Sequence, residues 1–170
     1  MAWHGPPNTF ERDRRRRAWR RAPASMLMAT VFGVGHLPGG PGTYAAMLAT
    51  PLIWAMSAWP LPMRMMLFIL VTMLSCVWCD RAGEALDEDD SSILVIDEFV
   101  GVWCALVWFG DLSWLAALVG LVAFRVFDIA KPWPCRWIDR HLHSGLGVVL
   151  DDLVAGLWSV PFVALAVWLS

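Results

Sequence analysis

The stretch 145-GLGVVLDDLVAGLWSVPFVALAVWLS-170 places two adjacent carboxylates, Asp151 and Asp152, at the head of a long apolar run. Its pattern predicts a helix over roughly 148–169, close to the ~20 apolar residues a bilayer core requires. A helix start favours negative charge through its dipole, so capping is one reading of the pair. Adjacent carboxylates also repel unless a cation or protons neutralise them, so cation binding is the other.

The same arrangement recurs upstream. In 93-ILVIDEFVGVWCALVWF-109, Asp97 and Glu98 open a second apolar segment. Carboxylates in such surroundings cost about 2.5–3.5 kcal/mol on membrane-insertion scales, which points to metal ligation or acid/base chemistry beside simple capping. Three further apolar helices are expected: 43-TYAAMLATPLIWAMSAW-59, 63-MRMMLFILVTMLSCVWC-79 and a segment of about 112–128. The segments at 43–59, 63–79 and 148–169 are marginally long enough to span; the two between are short enough for a shallow hairpin. An acidic loop or short helix, 80-DRAGEALDEDDSS-92, follows the second. If the helices alternate in direction, the polar motifs all fall on one side. The expected fold is an all-α, multihelical membrane-associated bundle with about five main apolar helices and its polar motifs on the cytoplasmic face.

Composition supports this. Of 170 residues 58% are hydrophobic and 16% charged, and mean hydropathy is +0.56, against roughly 25% charged in ordinary soluble proteins. Such apolar content excludes intrinsic disorder. A net charge of −2 and a pI near 6.0 argue against nucleic acid as a partner. Many of the 12 tryptophans sit near expected helix ends, as an interfacial belt would. Four cysteines within mostly apolar surroundings make no disulfide framework. Charge is uneven: Arg12, Arg14 to Arg17, Arg20 and Arg21 crowd the start, whereas from Met26 onward 6 basic residues face 13 acidic ones. Residues 1–24 therefore read as a disordered basic tail, topogenic by the positive-inside rule or bound to anionic membrane lipid. Residues 25–170 read as the helical domain. A homo-oligomer is left open.

Two further segments carry polar chemistry. In 124-FRVFDIAKPWPCRWIDRHLHSGLG-147, Arg125, Lys131, Arg136 and Arg140 stand among Asp128 and Asp139. Arg125 and Asp128, at i,i+3, share a helix face. Structural salt bridges are one reading; a clamp on phosphoryl oxygens is the other. His141 and His143 read as proton donors or as ordinary loop residues, and His36 is equally ambiguous. The loop 33-GVGHLPGGPGT-43 is either a turn-rich linker or a substrate-phosphate contact through Gly33, Gly35, Pro41, Gly42 and Thr43. With Asp128, the two acidic pairs offer five carboxylates, a set of oxygen ligands suited to Mg²⁺. Cys76 and Cys79, on an apolar helix without a second pair, read as packing rather than zinc ligands.

Together, 32-FGVGHLPGGPGT-43, 90-DSSILVIDEFVG-101, 124-FRVFDIAKPWPCRWIDR-140 and 145-GLGVVLDDLVAG-156 resemble the phosphatidylglycerophosphatase A family in order and spacing. The resemblance implies a Mg²⁺-dependent lipid phosphatase that converts phosphatidylglycerophosphate to phosphatidylglycerol and phosphate at the inner face of a bacterial cytoplasmic membrane, which the chain would cross several times. It also implies that Asp97, Glu98, Asp128, Asp151 and Asp152 are the functional acidic positions, with Asp90 as a further one, and Arg125, Lys131 and Arg140 the basic ones. On this reading Asp97, Glu98 and Asp151 or Asp152 hold Mg²⁺, and Arg125 and Lys131 stabilise phosphoryl charge. The alternatives are a small ion-coupled membrane transporter using the carboxylates, and a CDP-alcohol-type phosphotransferase, whose long Asp-rich signature is absent.

Overall fold

Proline and serine set the starts of the long helices. Pro41 opens one, Pro60 and Pro62 flank the start of another, and the Ser113 and Ser144 hydroxyls accept the Ala116 and Gly147 N–H groups at the heads of two more. The computed structural model describes residues 9–88, 91–142 and 144–170, which hold eight α-helices and no strand. In chain order they are α1 (Thr9–Arg21), α2 (Pro23–Ala29), α3 (Pro41–Met56), α4 (Leu61–Leu86), α5 (Ile96–Leu106), α6 (Trp114–Ala130), α7 (Cys135–His141) and α8 (Gly145–Leu169). A 3-10 turn lies at Val34–His36.

The centre of the fold is its short helix α5. Ten of its 11 residues are buried, because α3, α4, α6 and α8 all pack against it. The contact with α8 is the most extensive, and small residues permit it. A Cβ on Gly156 would run into the Gly101 carbonyl oxygen and lie 2.9 Å from the Cys104 Cβ. A Cβ on Gly101 would strike the ring of Phe124, itself fully buried on α6. The backbones of α5 and α8 thus touch, and aromatic bulk fills the space around the crossing.

At one end of this core, polar contacts fasten the α3–α4 turn to the α5–α6 turn. Buried Arg64 donates to the Phe109 carbonyl, Trp54 Nε1 donates to Leu112 O at 2.7 Å, and Ser57 Oγ accepts from Leu112 N at 3.2 Å. At the other end the Gly145 N–H donates to the Asp80 carboxylate at 2.5 Å, tying α4 to the start of α8.

Among the described residues, α4 and α8, with 26 and 25 residues, are the two helices long and apolar enough to cross a bilayer. Only 11% and 33% of their most apolar windows are buried, so both helices turn much of their apolar surface outward. Their outward residues, among them Met66, Met73, Leu157 and Leu165, form an apolar surface suited to membrane association.

Several expectations change. The 43–59 segment forms a 16-residue helix, too short to span, and α5 and α6 have 11 and 17 residues. The segment 80-DRAGEALDEDDSS-92 begins as the last turns of α4, which ends where Asp87 adopts a left-handed φ of 54°. The basic segment is not structureless from Thr9 onward: α1 buries Ala18 against the core, and Arg14 pairs with Glu88 at 2.6 Å. A helix of seven residues, α7, also forms inside the polar segment after Pro132.

Substituting Gly156→Ala should force the α5–α8 crossing apart and destabilise the protein by about 1–3 kcal/mol. Thermal unfolding in detergent checks this; an unchanged midpoint would show that the helices do not depend on backbone contact.

Candidate active site

The glycine crossing determines where four carboxylates meet. Asp97 lies one turn before Gly101 on α5, and Asp152 one turn before Gly156 on α8. Asp97, Glu98, Asp151 and Asp152 are consequently drawn together in the interior, each 3–8% exposed. Oxygens of Asp97, Glu98 and Asp152 fall within 4.8 Å of one another. Two unit charges 4 Å apart repel by about 4 kcal/mol at an effective dielectric of 20, whereas an exposed ion pair returns only about 0–1 kcal/mol. Such a cluster is stable only with protons or a cation inside it.

Two bases reach the cluster from the end of α6. Arg125 Nη1 donates to Asp128 Oδ2 at 2.6 Å and lies 4.0 Å from Glu98 Oε1. Lys131 ends α6 in the left-handed region at φ 43°. Its ammonium donates to Asp139 Oδ1 at 2.5 Å and to Asp151 Oδ2 at 2.8 Å. Burial opposes its charge, but the hydrogen bonds and charges of Asp139 and Asp151 outweigh burial and hold its pKa above the ordinary lysine value. These residues line one cavity of about 550 Å³, together with Ser92, Leu94 and Gly147.

The donor set fits a hard cation. It is all oxygen, with neither thiolate nor imidazole among the three converging groups. Glu98 Oε2 and Asp152 Oδ2 are buried without any hydrogen-bond donor, a costly condition that a bound cation would relieve. Burial raises the Glu98 carboxyl to about 8, with the Asp152 charge adding to the rise and a hydrogen bond with Asp97 opposing it.

The sequence-derived candidates divide by position. Asp97, Glu98, Arg125, Asp128, Lys131, Asp151 and Asp152 all line the cavity. Within it, Asp128 and Asp151 engage Arg125 and Lys131, while Asp152 joins Asp97 and Glu98. From the glycine loop, Gly42 abuts Glu98 so closely that a Cβ would collide with its carboxylate. Pro41 and Thr43 flank Gly42 in the first turn of α3, Gly35 packs on the Ile93 carbonyl and Gly33 adopts a φ of 93°; none of these four lines the cavity. Arg136, Arg140 and His141 face a separate cavity, where His141 stacks on Trp137 and its Nδ1 lies 2.7 Å from the Trp137 carbonyl. His36 accepts from Trp19 Nε1 at 3.1 Å. Asp90 and His143 lie outside the described residues. Asp139, second partner of Lys131, was noted in the sequence only as a neighbour of the bases. No helical spacing links residues separated by the α6 cap and two prolines, so only the fold could pair them.

Comparison with known proteins yields three relatives and one family. A family model described as Phosphatidylglycerophosphatase A matches residues 27–167. The chain is 35% identical over 133 residues to the phosphatidylglycerophosphatase A of Escherichia coli K12, covering 78% of this chain and 77% of that protein. It is 33% identical over 145 residues to the protein of the same name from Haemophilus influenzae, covering 84% and 89%. It is also 34% identical over 150 residues to a Bacteroides thetaiotaomicron protein provisionally named phosphatidylinositol-3-phosphatase, covering 84% and 93%. No solved structure matches the chain.

The raised Glu98 pKa sets a pH dependence. Unfolded Glu98 releases its proton near its ordinary value of 4.5 but folded Glu98 only near 8, so the folded state binds the extra proton between them. Stability from this group is complete below about 4.5 and lost as pH rises through about 8. In chelator the unfolding midpoint should fall as pH rises from about 5 to about 8, and Mg²⁺ should restore it most at the upper end. A metal-free midpoint that climbs over that window would exclude a protonated Glu98.

Proposed function

The chain belongs to the phosphatidylglycerophosphatase A family, and from that membership and its buried carboxylate cluster we propose that it hydrolyses the terminal phosphomonoester of phosphatidylglycerophosphate. The products are phosphatidylglycerol and inorganic phosphate. The observation that carries the reading is the convergence of Asp97, Glu98 and Asp152 beside Arg125 and Lys131 in one cavity.

Asp97, Glu98 and Asp152 would hold Mg²⁺, with Asp128 and Asp151 completing the acidic surround. When bound, the cation supplies Lewis-acid withdrawal of charge from the phosphoryl group. Arg125 and Lys131 supply fixed N–H donors to the equatorial phosphoryl oxygens, where positioning and charge do most of the catalysis in phosphoryl transfer. Asp128 and Asp151 hold those two cations in place before substrate arrives. Water adds to phosphorus, the bond from phosphorus to the glycerol oxygen breaks, and that oxygen leaves protonated as a primary alcohol.

The ends of the helices support one placement in the membrane. The Asp80–Gly145 contact joins α4 and α8 at the end that carries the cavity. Arginine-rich α1 lies at the same end, where Arg14 and Arg21 meet Glu88 and Asp87. By the positive-inside rule this end faces the cytoplasm of a bacterial inner membrane. The acyl chains lie along the exposed apolar helices, and the remaining arginines meet anionic lipid headgroups. The Bacteroides relative's name attaches a different lipid monoester to a similar chain. An ion-coupled transporter is not favoured, because the carboxylates gather toward the starts of α5 and α8 rather than at mid-helix.

Purified protein should release phosphate from phosphatidylglycerophosphate with Mg²⁺ and none above background in chelator or as Asp97→Asn. Lys131→Met should lower kcat by about 100-fold. Full activity in chelator or in the Asp97 variant would sink the metal assignment. In water enriched with oxygen-18 the label should enter the released phosphate directly; label appearing first in an enzyme carboxylate would replace direct water attack with a covalent intermediate.

A further inference from the structure

Lys131 borders two cavities. Beyond the acidic one lies a second, of about 370 Å³, between the turn after α6 and helix α7. Arg136 and Arg140 stand on its wall at i,i+4, hence on one face of α7. Trp133 and Trp137 flank them, 78% and 51% exposed. Among the described residues no carboxylate lines this cavity. Asp139, which sits between the two arginines in sequence, is drawn to Lys131 at 2.5 Å. Among the described residues Arg136 donates only to the Ala130 carbonyl, at 3.4 Å, and Arg140 makes no ion pair. The contrast with the first cavity is complete: there every base is engaged by carboxylates, here two guanidinium groups are not.

We propose that this second cavity is an anion subsite for the phosphodiester of the substrate, occupied while the monoester lies in the acidic cavity. The inference rests on the phosphatase reading above. Phosphatidylglycerophosphate carries two phosphates joined through one glycerol, so a site that recognises both needs two adjacent anion-binding regions. Lys131, shared by the two cavities, sits at their junction. Guanidinium forks present paired N–H donors to phosphate oxygens, which an ammonium cannot reproduce. Phosphatidic acid, with a single phosphate, can fill the acidic cavity but gains nothing from Arg136 and Arg140. These two residues therefore sort substrates by the number of phosphates they carry.

The test compares kcat/KM for phosphate release from phosphatidylglycerophosphate and from phosphatidic acid, in full-length wild type and in the double variant Arg136→Gln, Arg140→Gln. The ratio of the two should fall at least tenfold, about 1.4 kcal/mol, through a rise in KM for phosphatidylglycerophosphate. The double variant Arg136→Lys, Arg140→Lys, which keeps the charge and loses the forks, should recover part of the preference. Both residues are on the surface, and an unchanged unfolding midpoint verifies the fold. An unchanged ratio overturns the subsite. Equal losses on both lipids, accompanied by weaker binding to phosphatidylglycerol vesicles, overturn it in favour of general attachment to anionic bilayers. If wild type releases phosphate from neither lipid, the phosphatase reading itself fails and the subsite falls with it.

Discussion

Mutual repulsion among Asp97, Glu98 and Asp152 is the constraint around which the rest of the molecule is organised. A folded chain could avoid it by holding the helices apart, and here it does the opposite. Gly101 and Gly156 bring α5 and α8 into backbone contact one turn beyond the acidic residues, so the carboxylates cannot separate without opening the core. The nearby charges offset only part of the cost. Arg125 is shared between Asp128 and Glu98, and Lys131 is occupied by Asp139 and Asp151. What remains is a buried, electron-rich cluster of carboxylate oxygens whose chemistry suits a small hard cation.

The rest of the architecture holds that crossing rigid. At the far end Arg64, Ser57 and Trp54 fasten one interhelical turn to another. At the near end Asp80 ties α4 to the first residue of α8. Because α5 is enclosed by four helices, it need not cross a bilayer to be stable; α4 and α8 present their apolar surfaces outward instead. An enzyme acting on a lipid headgroup needs this division, with an anchored apolar exterior and a polar cavity at one end.

Much of this was legible in the residues themselves. The apolar runs foretold helices, and if successive helices alternate in direction the two helix starts that carry Asp97-Glu98 and Asp151-Asp152 fall on the same side. The i,i+3 spacing foretold the Arg125–Asp128 pair, now seen at 2.6 Å. Other features were not legible, for physical reasons. Helix α1 has no apolar stripe; it is held by the burial of Ala18 and by Glu88, both long-range effects. Helix α7 is too short for periodicity to reveal. The contact of Gly42 with Glu98 joins residues 56 positions apart in sequence, and a glycine reveals its neighbours only once the backbone is placed.

The division of labour between Asp151 and Asp152 follows from helix geometry alone. Successive residues on an α-helix point about 100° apart, so two adjacent aspartates of equal length cannot both enter one small cluster. Asp152 faces Asp97 and Glu98; Asp151 is turned toward Lys131. The pair on α5 brings both of its members into the group, the second of them the longer glutamate. An Asp-Glu pair on one helix opposite an Asp-Asp pair on the other therefore yields three converging carboxylates and one left to position a base. The fourth carboxylate, Asp151, lies 2.8 Å from the Lys131 ammonium. It orients Lys131 at the junction of the two cavities, linking the acidic cluster to the arginine-lined space beyond it.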